Sequence, residues 1–388
     1  MVLIRSAVML KEEVKQVRGL MMDFVRDIPK EEIDSLEKEH EMPLDRIGML
    51  GDRGMMGLSV PLEYGGAGFC TTELLTVGEP LAEAWSSLYL IWLVQNSIAV
   101  LPVLLFGNNE QKEFWLPRFA NGELGCFCLT EPSCGSDVAS LKISAKETED
   151  DFILNGTKRF ITNAINGKMA TVFARTGAKG SGSKGISAFI LDLSTPGIIL
   201  GSAEKKIALH ASPICDVIFN ECHIPKGALV GEKNNGFKIA MSTLNAGRLG
   251  VAMQAVGLAE EALRRAKDYG DERMVAGGEK KVNDTEQARR KYAWMRTEID
   301  AVRALIFEAA RLKDEGQPFV QKASEAKLKA ARVALEVTRE AVGIFGGNGF
   351  IADYDIFRLH AEAFGVWIYE GTQEIQEMII SKAEFGEL

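Results

Sequence analysis

Positive charge is what this chain runs short of: 45 Lys and Arg stand against 54 Asp and Glu, a formal net charge of −9. A nucleic-acid binder needs basic patches to neutralise phosphates, so that class is excluded. Histidine is scarce, with only His40, His210, His223 and His360, and no zinc-type cluster can be built from them; no metal site is expected. The six cysteines include no CxxC. Cys126 and Cys128 are one residue apart and Cys70, Cys134, Cys215 and Cys222 are scattered, which reads as buried thiols in a reducing compartment rather than a disulfide framework. No apolar run reaches 18 residues. The longest, Leu88 to Phe106, is interrupted by Gln95, Asn96 and Pro102, so it reads as a buried helix with a break and no membrane span is expected. The opening MVLIRSAVML carries no small-residue cleavage site and no transit-peptide composition, and reads as the start of a helix. A prokaryotic cytoplasm is the expected compartment, a mitochondrial matrix only if the chain is a processed one.

What is present is an ordinary globular composition, 46% hydrophobic and 26% charged over 388 residues, enough for two or three domains. Three zones follow one another. Residues 1–123 carry apolar positions at 3–4 spacing, as in LKEEVKQVRGLMMDFVRDI. Residues 124–231 hold short runs rich in Ile, Phe, Val and Thr, punctuated by Gly, Asn and Pro every 8–12 residues, as antiparallel strands of a barrel or sandwich would be. In residues 232–388 long amphipathic segments return and predict an antiparallel four-helix bundle. The fold class is α+β, mainly α.

Four strings carry possible chemistry. LTEPSCGSD, 129–137, is a loop dense in hydroxyls and backbone donors, suited to wrapping carbonyls or phosphates, or simply a polar turn. In ILNGTKRFITNA, 153–164, Asn155-Gly156 predicts a hairpin between two strands, and alternation puts Phe160 and Thr162 on one face, where they line a ring-shaped ligand or pack a core. GIFGGNGFIA, 343–352, formally fits a dinucleotide fingerprint, but a long helix precedes it where a strand is required, so it reads as a glycine-rich helix end. In VWIYEGTQEI, 366–375, Glu370 leaves an apolar stretch. It is either a desolvated carboxylate of raised pKa, fit to act as a general base, or an exposed residue ahead of a helix that starts near Thr372.

The order and spacing of these strings, with FxxCxIP at 219–225 and GRLGVAMQAVGLAEEALRRAKDYGDER from Gly247, resemble the acyl-CoA dehydrogenase family over nearly the whole chain. The resemblance implies a helical N-terminal domain, a β-domain and a C-terminal four-helix bundle, a homotetramer (dimer of dimers), and FAD with an acyl-CoA thioester between the domains. It makes Glu370 the base that takes the α-proton while the β-hydrogen leaves as hydride to flavin N5, giving a trans-2-enoyl-CoA, with an electron-transfer flavoprotein as acceptor. The thioester carbonyl then needs hydrogen bonds, one of them from the Glu370 N–H. Some members carry the base at the position of Gly247, which has no side chain to offer, so Glu370 is favoured. Cofactor contacts implied are Phe127, Leu129, Thr130, Gly135, Ser136, Phe160, Thr162, Gly347, Thr372 and, on a neighbouring subunit's flavin, Arg273. Substrate contacts implied are Ser136, Asn245, Arg248 and Gly371. Departures cluster on the adenine side: Gly343 stands where Gln is frequent, and 276–284 and Ala361-Glu362-Ala363 differ from the usual pattern. Trp85, Tyr89, Trp92 and Leu93 either narrow an acyl pocket or fill a core. A related enoyl-CoA reductase or carrier-protein enzyme, and a non-catalytic acyl-CoA-binding scaffold, are the competing readings.

Overall fold

The computed structural model describes residues 11–178 and 180–387; the helix start expected within the first ten lies outside them. Helices α1 (Glu12–Arg26), α2 (Lys30–Glu39) and α3 (Leu44–Asp52) are amphipathic and cover one side of α4 (Thr71–Ala84) and α5 (Ser86–Val94). All nine residues of α5 are buried, as a helix without a polar face must be. Its apolar character continues through a π-turn, Gln95–Ala99, into α6 (Leu101–Phe106) and then α7 (Asn109–Ala120). The span Ser86–Phe106 has the length and composition of a membrane helix, but the rest of the protein encloses it.

Eight strands follow: β1 (Gly125–Cys128), β2 (Ser144–Glu147), β3 (Asp151–Thr162), β4 (Met169–Arg175), β5 (Ile186–Asp192), β6 (Ile198–Leu200), β7 (Ile214–Pro225) and β8 (Leu229–Val230). The sheet runs β6-β7-β3-β2-β4-β5-β8, with β1 beside β4. It is mixed rather than wholly antiparallel, because β1 pairs β4 in parallel. The chain leaves β1 into the 129–143 loop and returns by a crossover rather than a hairpin. The hairpin expected at Asn155-Gly156 is absent. Both residues lie inside the single strand β3, where its register against β7 shifts. Gly156 has φ +141° and a Cβ there would lie 2.9 Å from Ile143, while the Asn155 side chain holds Glu221 across the ladder. An Asn-Gly pair therefore marks a bulge here, and the turn into β3 forms earlier, at Thr148–Asp151.

The C-terminal bundle is α8 (Gly236–Glu272), α9 (Glu286–Asp314), α10 (Val320–Phe345) and α11 (Ile356–Ile368), followed by α12 (Gln373–Glu384) on α10. The fourth helix of the bundle, α11, thus precedes the turn at Glu370, and the segment after Gly371 forms the separate α12. At 37 residues, α8 is roughly 55 Å long and forms the spine of the molecule. It packs on α4 so closely that a Cβ at Gly257 would lie 2.3 Å from the Ala82 carbonyl carbon. Asp314, ending α9, accepts the Thr71 and Thr72 N–H groups at 2.9 and 2.8 Å and so caps α4. One apolar core joins the two helical regions and a second fills the β-domain, with Tyr369 packed against both.

Candidate active site

Glu370 lies in the turn between α11 and α12. Its φ is +51°, and Gly371 follows at +97°. A left-handed glutamate costs about 1 kcal/mol, so its surroundings must hold it there. Gln376 Nε2 donates to the carbonyls of Glu370 and Gly371 (3.3 and 2.9 Å), and Lys327 Nζ, from α10, donates to those of Gly371 and Trp367 (2.7 and 3.3 Å). Thr372 is the N-cap residue of α12. A helix does start there, but Glu370 is not thereby exposed.

The turn swings the carboxylate onto α8. A Cβ at Gly247 would lie 2.4 Å from Glu370 Oε2 and 2.8 Å from Ile98 Cγ2, so the missing side chain at 247 is the space the carboxylate occupies. Oε2 is buried with no hydrogen-bond partner. Burial pushes the Glu370 carboxyl up to about 7, although Arg248 and Lys327 pull it down. Arg248 is 3% exposed; its Nη1 donates to Asn245 Oδ1 at 2.5 Å, and desolvation brings it down to about 10. Asn245, Arg248, Glu370 and Gly371 therefore gather around one point of α8.

One turn further along α8, at Gly250, the space closes. A Cβ there would meet Leu93 Cδ1 at 2.1 Å, and Tyr89 Oη donates to the Gly250 carbonyl at 3.0 Å. Tyr369 Oη donates to Gln254 Oε1 (2.8 Å), whose amide donates to Ser86 Oγ (2.9 Å). Trp85 and Trp92 are core residues, their ring N–H groups bonded to Glu37 and to the Met55 carbonyl.

The π-turn connects this point to the β-domain. Ile98 stands over Gly247, while Gln95 Oε1 accepts the Gly125 N–H that opens β1. Beyond β1, the 129–137 loop is rigid from within. Glu131 accepts the N–H groups of Lys142 and Ile143 (2.7 and 3.1 Å) and the buried Lys158 Nζ at 2.9 Å; that ammonium also reaches the Leu129 carbonyl at 2.8 Å. The Arg159 N–H donates to the Thr130 carbonyl at 2.8 Å. So braced, the loop leaves Gly135 and Ser136 exposed and Thr130 half-buried, with nothing within 4 Å of a Cβ at Gly135. Phe127 and Leu129 are buried beneath it. Beside it Phe160 is 55% exposed, at φ +60° where the register of β3 against β7 shifts, and Thr162, two residues on, is half-buried. A large aromatic turned outward from a strand at a cost in backbone strain, beside hydroxyls on a fixed loop, makes an open face suited to a planar ring and its polar edge.

Arg273 and Gly347 are not part of this grouping. Arg273 lies 273 − 247 = 26 residues beyond Gly247 at the far end of α8, roughly 39 Å away. Gly347 follows α10, in a turn that Asn348 and Phe345 bond to Tyr269 of α8. These two residues share the opposite end of the bundle. At Gly343 the nearest group to a Cβ is Lys291 Nζ, 3.7 Å away. Sequence reading passed over Lys327, Ile98, Tyr369 and the Glu131–Lys158 pair. Of these only Lys327 leaves a trace in periodicity, an ammonium on the buried stripe Ala323, Ala330, Ala334 of α10.

The chain matches the acyl-CoA dehydrogenase N-terminal domain over residues 11–123, the middle domain over 126–222 and the C-terminal domain over 234–385. It is 39% identical to an acyl-CoA dehydrogenase of Bacillus subtilis (96% of this chain, 99% of the relative) and 37% identical to the human mitochondrial short-chain specific acyl-CoA dehydrogenase (95% and 90%). It is also 36% identical to a 3-(aryl)acrylate reductase of Clostridium sporogenes (95% and 98%). Butyryl-CoA dehydrogenase from Megasphaera elsdenii superposes with a TM-score of 0.93 at 35% identity (99% and 100%). A chain from work on the electron transferring flavoprotein of Acidaminococcus fermentans gives 0.93 at 37% (97% and 98%). A glutaryl-CoA dehydrogenase from Mycobacterium smegmatis in complex with FADH2 gives 0.89 at 28% (97% and 95%). All three domains in order, with full-length relatives above 30% identity, make this chain a member of the acyl-CoA dehydrogenase family.

Proposed function

We propose that this protein desaturates a short-chain acyl-CoA to the trans-2-enoyl-CoA, with Glu370 as the base. The observation that carries this is the Glu370 carboxylate over Gly247, buried and unpartnered at Oε2, with its pKa raised by burial to about 7. A base buried without a partner has its lone pairs free for a substrate C–H. Among the described residues nothing accepts the Glu370 N–H, which leaves it free for a thioester carbonyl, as the enolate-like charge on that oxygen requires. Arg248 and Lys327 favour the ionised base before the α-proton arrives.

The family cofactor is FAD, and the open face fits it. Phe160 and Thr162 would hold the ring, with Thr130, Gly135 and Ser136 toward its polar edge and the buried Phe127 and Leu129 beneath; Ser136 would also be available to the CoA arm. Bound there, FAD supplies the two-electron acceptor for the β-hydrogen. The closure at Gly250, Leu93 and Tyr89 supports a short acyl group. An acyl chain running along α8 from Glu370 meets it within one turn, about 5.4 Å, which is room for about four carbons. The names of the human and Megasphaera relatives agree.

Arg273 and Gly347 lie beside exposed Met274, Phe350, Ile351 and Tyr354. Such a patch supports a homotetramer in which that end of the bundle meets a neighbouring subunit and its cofactor. An electron-transfer flavoprotein is the acceptor we assign, in a prokaryotic cytoplasm. A second reading, reduction of an enoyl thioester with Glu370 delivering the α-proton, is favoured by the Clostridium relative. The test is anaerobic titration with butyryl-CoA and octanoyl-CoA. Bleaching of the flavin band by butyryl-CoA, with loss of about 10²- to 10⁴-fold in rate in Glu370→Gln at unchanged flavin content, is expected. Near-normal bleaching in that variant would move the base elsewhere, and a colourless protein that takes up no FAD would favour the binding scaffold.

A further inference from the structure

Lys327 has no exposure at all, and a buried ammonium is retained only at a cost unless its protons are bonded and its charge is answered. Here two protons go to backbone carbonyls, those of Trp367 and Gly371. These two carbonyls bracket the base. Trp367 is in the last turn of α11, where carbonyls lack intrahelical partners and a cation is favoured. Gly371 follows Glu370 directly and carries the second of the two left-handed conformations. Holding both ties the two sides of the reversal to α10, which packs along α8. The groups facing this pair are Arg248 from α8, Tyr89 from α5, Tyr369 in the turn and Glu374 from α12. Only Arg248 and Lys327 are cations, and Lys327 alone also grips the backbone.

We infer that Lys327 is a positioning residue of the reaction: it clamps the turn that carries Glu370 in its left-handed form and supplies one of the two positive charges that keep the base ionised. This rests on Glu370 being the base. Burial has already brought Lys327 down to about 8, while the Glu370 charge holds it up, so each group answers the other. A merely structural lysine would show its loss as lower stability alone. A positioning lysine changes the rate of flavin reduction and its pH profile while acyl-CoA affinity is retained.

The experiment compares wild type, Lys327→Gln, Lys327→Met and Glu370→Gln as FAD-loaded enzymes, by anaerobic stopped-flow with butyryl-CoA from pH 5.5 to 9. Lys327→Gln keeps a donor without the charge, and Lys327→Met removes both. Both are expected to raise the midpoint of the acid limb by about one unit. Reduction at the plateau is expected to fall roughly tenfold in Lys327→Gln and roughly 100-fold in Lys327→Met, with butyryl-CoA affinity within about threefold of wild type. If wild type bleaches and Glu370→Gln does not, but both Lys327 variants keep the wild-type rate and acid limb, the inference is wrong and the base assignment stands. If wild type does not bleach, or Glu370→Gln bleaches normally, the assignment beneath it has failed. Should Lys327→Met not hold flavin, Lys327→Gln decides; loss of flavin in both would place Lys327 in the fold rather than the site and overturn the inference.

Discussion

Replacing Gly247 by Ala tests the site with a single methyl group. That carbon would arrive 2.4 Å from Glu370 Oε2, 3.2 Å from its carboxyl carbon and 2.8 Å from Ile98 Cγ2. Contacts below 3.0 Å are essentially never tolerated, so the carboxylate must retreat by at least 3.0 − 2.4 = 0.6 Å, with Ile98 blocking the other side. A displacement of about 1 Å at a reacting centre costs about 100-fold, so 0.6 Å corresponds to roughly 15-fold. Stability moves the other way or little: Gly to Ala inside a helix gains about 1 kcal/mol, which offsets the local strain. The expected enzyme is thus as stable as wild type, yellow, binds butyryl-CoA normally and reduces its flavin roughly 15-fold more slowly. Anaerobic stopped-flow beside a thermal melt separates the two effects. A reduction rate within twofold of wild type would mean that the Glu370 carboxylate is not held against α8, and the geometric argument for the base would fall.

Leu93→Ala opens the closure beyond the base; the preference for butyryl- over octanoyl-CoA should narrow about tenfold in kcat/KM, with a stability loss of about 3 kcal/mol by urea titration. An unchanged preference would mean the acyl chain does not run along α8. Lys158→Met leaves Glu131 buried without its cation, and about 3 kcal/mol of stability should be lost together with flavin on gel filtration; full retention of flavin would show that the 129–137 loop does not depend on the pair. Because burial raises Glu370 to about 7 and the base acts when deprotonated, flavin reduction should fall with decreasing pH through about 7. An acid limb near the ordinary carboxylate value of 4.5 would contradict the burial argument. The same shift has a stability sign. Glu370 and Glu362, both held up to about 7, bind protons in the fold that the unfolded chain releases above 4.5. Their contribution is therefore present below that value and is lost as pH rises toward 7.

Periodicity and composition were enough to read the α, β, α order, because 3.6- and 2-residue apolar repeats decide which faces must be buried whatever the partner. The turn at 370 was legible for a similar reason: an acid after four apolar residues and before a glycine is a local anomaly with a chemical meaning. The Asn155-Gly156 pair shows the limit. Its local preference for a hairpin was overridden by the ladder between β3 and β7, which absorbs the two residues as a bulge. The sequence by itself determined the α, β, α succession and the family, and singled out Glu370 as a candidate. Only the tertiary structure decided that Gly247 is the seat of the carboxylate, that α8 closes on Leu93 one turn later and that Lys327 grips the turn from α10. These pairs are separated by 43 to 157 residues (370 − 327 and 250 − 93). Contacts at such separations are set by how helices approach one another, and that depends on the absence of side chains as much as on their presence.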